Sequence, residues 1–138
     1  MGLGKVFDIA GTALSAQSIR LNTVASNMAN ANSISSTPNG VYRSRQPVFS
    51  AIMDNSLSGD NTSVGVRVVD IVEKQGDVNK VFDPGNPRAD ASGFVYQSNV
   101  NIIEEMTNMI SASRSYQNNI EVMNTAKQLM LATLRLGE

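Results

Sequence analysis

Histidine, cysteine and tryptophan are all absent from the 138 residues. Without cysteine there is no disulfide framework, thiol nucleophile or thiolate metal site. Without histidine the usual general base and the commonest metal ligand are missing, and so is every Ser–His or Cys–His arrangement. These two absences remove most hydrolase mechanisms. Charged residues are also scarce, 17% against the roughly 25% of ordinary soluble domains. The net charge of −1 offers no electrostatic footprint for nucleic acid or for an anionic membrane surface. No stretch approaches the roughly 18 apolar residues of a membrane span. Residues 6–16 faintly imitate a secretory signal ending in Ala13-Leu14-Ser15-Ala16, but Asp8 interrupts them and the periodicity runs on, so no cleavage is expected. Val6 stands where a myristoylation start needs Ser or Thr, and the sequon Asn61-Thr62-Ser63 reads as chance.

What is present is enough apolar material for one domain, 41%, and an abundance of Asn, Ser and Gln in place of charge. Such a surface costs little to desolvate and suits burial against other subunits. Residues 5–32 contain no proline and carry Phe7, Ala10, Leu14, Leu21, Val24 and Met28 at alternating steps of three and four, with Gln17 as the polar member. That spacing predicts an amphipathic helix. The last segment repeats it over a longer run: Ile102, Met106, Met109, Tyr116, Ile120, Met123, Met130 and Leu134 share one register, with Ser113 and Lys127 as polar members. Ile103, Ile110 and Leu131 widen the stripe on one flank, and Gly137 marks the end. Between the helical segments, residues 64–72 alternate and are rich in β-branched side chains, which predicts a strand, and residues 42–52 offer a second. Asp83-Pro84-Gly85-Asn86-Pro87 is a turn signal, and residues 54–63 are Gly-, Ser- and Asn-rich.

The expected fold is therefore mainly α with a small β lobe, the long N- and C-terminal helices pairing as a coiled-coil-like hairpin around a central β-hairpin and loop region. The expected divisions are an assembly helix in residues 1–36, a β-rich lobe in 37–97 with a flexible loop at 54–63, and a second assembly helix in 98–138. At 1.5 Å per residue the helices would reach roughly 40 Å and 50–55 Å. A compact domain of this size has a diameter of about 37 Å. Helices of that length protrude and need cover from other copies or partners. The stripe residues of both segments are accordingly the expected assembly interface: Phe7, Leu14, Leu21, Val24, Met28, Ile102, Ile103, Met106, Met109, Ile110, Tyr116, Ile120, Met123, Met130, Leu131 and Leu134.

Chemistry-bearing constellations are few. The methionines fall at helical spacing and read as packing groups rather than metal ligands. Glu104 and Glu105 point about 100° apart on a helix and do not converge; in its first turns they complement the dipole. Asp83 and Asp90 miss the calcium-loop pattern. Arg20, Arg114 and Arg135 lack the aromatic interleaving of a phosphate-binding patch, and Gly2-Leu3-Gly4-Lys5 is no P-loop. No catalytic residue, cofactor, metal or small-molecule substrate is expected.

The run from Ala13-Leu14-Ser15-Ala16-Gln17 through Arg20-Leu21-Asn22-Thr23-Val24-Ala25-Ser26-Asn27-Met28-Ala29-Asn30 resembles the N-terminal motif of flagellar rod and hook proteins. Tyr42-Arg43-Ser44-Arg45-Gln46-Pro47-Val48-Phe49 is similar to the proximal rod family FlgC. So are Phe82-Asp83-Pro84-Gly85-Asn86-Pro87-Arg88-Ala89-Asp90-Ala91-Ser92-Gly93-Phe94-Val95, Ser98-Asn99-Val100-Asn101, the run Glu104-Glu105-Met106 to Ser113-Arg114-Ser115-Tyr116-Gln117, and Asn124-Thr125-Ala126-Lys127. The resemblance covers nearly the whole chain. It departs at Phe82 and Phe94, where the family usually has Tyr, at Asn86, usually His, and at Ser98, usually Pro. It implies a structural, non-enzymatic subunit of the basal-body rod, exported through the flagellar type III apparatus without a cleaved signal and polymerised in the periplasm into a shaft that transmits torque. Implied partners are other rod proteins, copies of the chain itself and the export apparatus. The alternatives are another axial subunit, or a soluble helical binding module such as an export chaperone.

Overall fold

The computed structural model describes residues 2–53 and 63–137. Their elements run α1 (Leu3–Ala29), β1 (Ile34–Ser35), β2 (Arg45–Met53), β3 (Ser63–Glu73), β4 (Asn79–Phe82), β5 (Phe94–Gln97) and α2 (Ile102–Leu136). The mainly α expectation holds: two long helices pack against each other beside a small β region. Strand β3 falls on the alternating stretch, and β2 on the second predicted run. Of the loop expected at 54–63, all but Ser63, the first residue of β3, lies outside the described residues.

The helix limits follow from local hydrogen bonding. Helix α1 stops at Ala29, three residues before the Asn-rich stretch runs out, and the Asn30 side chain donates to the Ser26 carbonyl at 2.8 Å. Helix α2 begins at Ile102 rather than at Ser98. Asn101 is its N-cap, its Oδ1 accepting from the amides of Ile103 and Glu104 at 3.0 and 3.3 Å. Ser98 and Asn99 are engaged elsewhere, which keeps them out of the helix. At the far end the Gly137 amide reaches the carbonyls of Thr133 and Leu134, as the stop signal predicts.

The chain forms two compact units, each drawn from separated stretches. The first comprises Met1–Leu21, Pro47–Asp70 and Ile110–Glu138; the second comprises Asn22–Gln46 and Ile71–Met109. In the first unit the fully covered positions are Ala10, Ala16, Gly65, Ala112 and Ala126. Glycine is required at 65 by close approach of β3 to α1, since an added Cβ would stand 2.5 Å from Thr12 Oγ1. That hydroxyl donates to the Ile9 carbonyl at 2.8 Å and accepts from the Val66 amide at 3.2 Å.

In the second unit β1, β5 and β4 form an antiparallel sheet in that order. The registers are Ile34↔Gln97, Ser35↔Tyr96, Lys80↔Tyr96 and Phe82↔Phe94. The expected turn closes β4 onto β5, with the Asp83 amide on the Gly93 carbonyl at 2.9 Å. Phe82 meets Phe94 edge to face at 5.1 Å, and the Lys80 ammonium lies 4.0 Å from the Phe94 ring centre.

Candidate assembly surface and the polar core beside it

The predicted interface residues separate into two groups. On α1, Val24 is buried and Phe7, Leu14, Leu21 and Met28 are partly covered. On α2, Met109, Tyr116 and Met123 are partly covered, whereas Ile102, Ile103, Met106, Ile110, Ile120, Met130, Leu131 and Leu134 are exposed. Ile103 is 77% accessible, Leu134 64% and Ile110 56%. The covered positions of α2 include Glu105, Met109, Ala112, Tyr116, Asn119, Met123 and Ala126. These also alternate by four and three, but they share only Met109, Tyr116 and Met123 with the predicted register. The seam is rotated toward the small residues because alanine lets helix backbones approach closely, and the large aliphatic groups are left on the flank.

Within the first unit this leaves an apolar groove of about 360 Å³, with Leu3 and Val6 of α1 facing Val122, Ala126 and Leu129 of α2. Among the described residues no three or more His, Cys, Asp or Glu groups gather to hold a metal. No described helix is long and apolar enough to cross a membrane.

The polar centre of the second unit is not visible in the periodicity. Asn27, the largest fully buried side chain, is 1% exposed. Its Nδ2 donates to the Arg45 carbonyl at 2.8 Å and to Glu105 Oε1 at 3.0 Å, with Ser44 Oγ a third acceptor at 3.3 Å that shares one of the two hydrogens. Its Oδ1 accepts from the Tyr42 hydroxyl at 2.8 Å and the Arg45 amide at 2.9 Å. A carboxylate on one side and an N–H on the other fix which way the amide points. Ser44 Oγ donates to Glu105 Oε1 at 3.1 Å, and the Ser44 amide donates to Asn99 Oδ1 at 2.8 Å. Asn99 Nδ2 in turn reaches the Lys74 carbonyl at 3.2 Å.

The two glutamates at the start of α2 thus do different things. Glu104 is half exposed and pairs with Lys74 at 3.4 Å, whereas Glu105 is buried and receives Asn27 and Ser44. The dipole reading covers both, since both stand in the first turn. It misses the lateral bonds of Glu105, whose partners lie 78 and 61 residues away in the chain. Asn27, Tyr42-Arg43-Ser44-Arg45 and Glu105 all lie inside motifs of the resemblance, but the motifs carry no sign that these residues pair.

Residues 7–33 match the family model described as flagella basal body rod protein, and residues 91–136 match that of the flagellar basal body rod FlgEFG protein C-terminal. The flagellar basal-body rod protein FlgC of Escherichia coli O157:H7 is 51% identical over 138 residues, all of both chains. That of Salmonella typhimurium strain LT2 is 50% identical over the same span. That of Bacillus subtilis strain 168 is 34% identical and covers 95% of each chain. The chain belongs to the FlgC family of flagellar basal-body rod proteins. Its members are structural proteins and not enzymes. The two matched regions hold α1 from Phe7 onward and all of α2, and with them Asn27 and Glu105, the ends of the buried amide–carboxylate bond.

Proposed function

We propose that the chain is a structural subunit of the proximal rod of the flagellar basal body, which packs its paired helices against neighbouring rod proteins and copies of itself to build a torque-transmitting shaft. The observation that carries this reading is full-length identity of about half to FlgC rod proteins. The exposed aliphatic face of α2 supports it. Full burial of one such side chain contributes on the order of 1.5–3 kcal/mol, so covering Ile103, Ile110, Leu131 and Leu134 favours contact with a neighbour. Of the sixteen stripe residues, the assembly contact falls to the exposed α2 group, Ile102, Ile103, Met106, Ile110, Ile120, Met130, Leu131 and Leu134, whereas Val24 is buried within the chain and belongs to its own core.

The reading places the subunit in the periplasmic part of the rod, after export through the flagellar type III apparatus. In this reading residues 6–16 stay in the assembled chain, which is supported by their place in the N-terminal half of α1 with Ala10 and Ala16 buried. Deleting the gene should abolish swimming and leave basal bodies without rods, as seen by imaging the purified structures. Complementation with Ile103→Ser/Ile110→Ser should fail although the variant is exported. Normal swimming with complete rods in the deletion strain overturns the proposal.

A further inference from the structure

The second unit contains a polar cleft of about 690 Å³ lined by three guanidinium groups, Arg43, Arg45 and Arg88, and one carboxylate, Glu73. Each arginine is tethered by one terminal nitrogen. Arg43 Nη1 donates to the Gly76 carbonyl at 2.7 Å, Arg88 Nη1 to the Ile34 carbonyl at 3.1 Å, and Arg45 Nη2 to Glu73 Oε1 at 3.3 Å. A guanidinium carries five N–H donors in a rigid fork, so these bonds orient the groups while leaving donors for a planar anion. Ser33 Oγ, buried in the cleft wall, has no partner among the described residues.

The cleft carries +3 − 1 = +2 charges. The other charged residues of the same unit are Lys74 and Lys80 against Asp77, Asp83, Asp90, Glu104 and Glu105, or +2 − 5 = −3. Three of those acids are committed: Glu105 is buried, Glu104 holds Lys74, and Asp90 accepts the amides of Ser92 and Phe94. Asp77 and Asp83 are exposed, although Asp83 Oδ2 also accepts from Asn86 Nδ2 at 3.2 Å, and they flank β4, an edge strand whose four residues are all exposed. An edge strand offers unpaired backbone groups to another chain. Two carboxylates about 20 Å apart along extended chain therefore border the most available edge of the unit.

We infer that the Arg43–Arg45–Arg88 cleft receives the β4 edge of a second copy of this chain, whose Asp77 and Asp83 carboxylates engage the guanidinium forks. The two surfaces differ, so the contact is head-to-tail; such contacts build rings where the rotation closes and open helical arrays where it does not, and the rod-subunit reading requires the open form. The inference rests on the rod-subunit reading and adds to the apolar helix face a second, charge-assisted contact.

The test is a charge swap. Arg43→Glu/Arg88→Glu reverses the cleft, and Asp77→Lys/Asp83→Lys reverses the edge; circular dichroism checks that both fold. Self-association is read by sedimentation between about 0.05 and 0.5 M salt, a range over which exposed charge pairs are progressively screened. The wild type should associate more tightly at low salt. Each variant alone should be weaker there by about tenfold, and an equimolar mixture should return to within about threefold of wild type, because opposite charges face again in both contacts. Arg43→Lys/Arg88→Lys should keep most of the association. A mixture no tighter than its components, a salt-independent wild type, or a wild type that stays monomeric overturns the inference. So does a cleft variant that self-associates normally but loses another rod protein. Ile103→Ser/Ile110→Ser reads the helix face separately: it should weaken association at both salt concentrations. Wild-type association by that variant, together with a successful swap, would remove the helix-face reading and leave the cleft.

Discussion

The two units solve burial in opposite ways. In the first, the buried residues among those described are Ala10, Ala16, Gly65, Ala112 and Ala126, all small and none carrying a polar side chain, while the partly covered Gln17 tucks its Oε1 inside without a partner among the described residues. In the second, Thr23, Asn27, Ser44, Ser98 and Glu105 are covered beside Val24, Ala31, Val41 and Val95. Small residues permit close helix contact but remove little apolar area from water, so such a unit gains modest stability by itself and turns its large side chains outward. Directional hydrogen bonds tolerate few alternative arrangements, and leaving one unmade is costly. The first unit is thus built to be completed by neighbours, and the second to hold one geometry.

Removing the centre of the second unit should break this contrast most severely. Asn27→Ala strips donors from Glu105 and Ser44 and acceptors from Tyr42 and the Arg45 amide. With roughly 1–3 kcal/mol for each buried group left unsatisfied, we expect a loss of about 3–5 kcal/mol, read as a lower urea midpoint. A loss below about 1 kcal/mol would mean that the buried amide is not what fixes the unit.

The first unit should respond to size rather than to polarity. Ala112 is wholly inaccessible, so Ala112→Leu inserts three carbons into a closed seam. The expected cost is about 1–3 kcal/mol in urea unfolding. Ser111, the preceding residue, is exposed, and Ser111→Leu should stay within about 0.5 kcal/mol of wild type. Equal tolerance of leucine at the two positions would remove close packing as the basis of the seam.

Much of this was legible in the chain, and what was not has a physical reason. Helix existence, the strand at 63–73, the turn after Phe82 and the stop at Gly137 all express local chemistry: periodicity, β-branching, proline and glycine. The seam register differs by one position at every other step: hydrophobicity ranks Met106 and Ile120 above Glu105 and Asn119, and the spacing that joins them then runs through Ser113 and Lys127 although Ala112 and Ala126 are the buried residues. Which neighbour buries a helix face depends on how closely the partner backbone comes, and that is a tertiary property. The pairing of Asn27 with Glu105 joins positions 78 apart and leaves no periodic trace. Strands β4 and β5 escaped because four-residue strands are too short for alternation to register.

A smaller effect tests the turn that connects those strands. Gly93 has φ +81°, and an added Cβ would lie 3.0 Å from Phe82 Cε2 and 3.1 Å from Pro84 Cβ. Gly93→Ala should cost about 1–2 kcal/mol through left-handed strain and crowding of the Phe82–Phe94 pair. Gly76, also non-helical but with open space around it, should accept alanine more readily, and thermal unfolding of the two variants compares them.

The mildest test sets acid against the same turn. The Phe94 amide, donating to Asp90 Oδ1 at 2.9 Å, holds the Asp90 carboxyl below its ordinary range; the Ser92 amide, the charge of Lys80 and the Tyr96 hydroxyl act in the same direction, and desolvation opposes them. A carboxyl that titrates lower when folded than when unfolded stabilises fully above the unfolded value of about 3.9. That contribution disappears as pH falls through the folded value. Asp90→Asn keeps an acceptor oxygen for both amides but carries no charge to lose. Its urea midpoint should therefore fall less steeply than that of wild type below about pH 4, while the two curves run parallel from pH 5 upward. Identical acid limbs would show that the turn is held by backbone geometry, with the Asp90 charge contributing nothing.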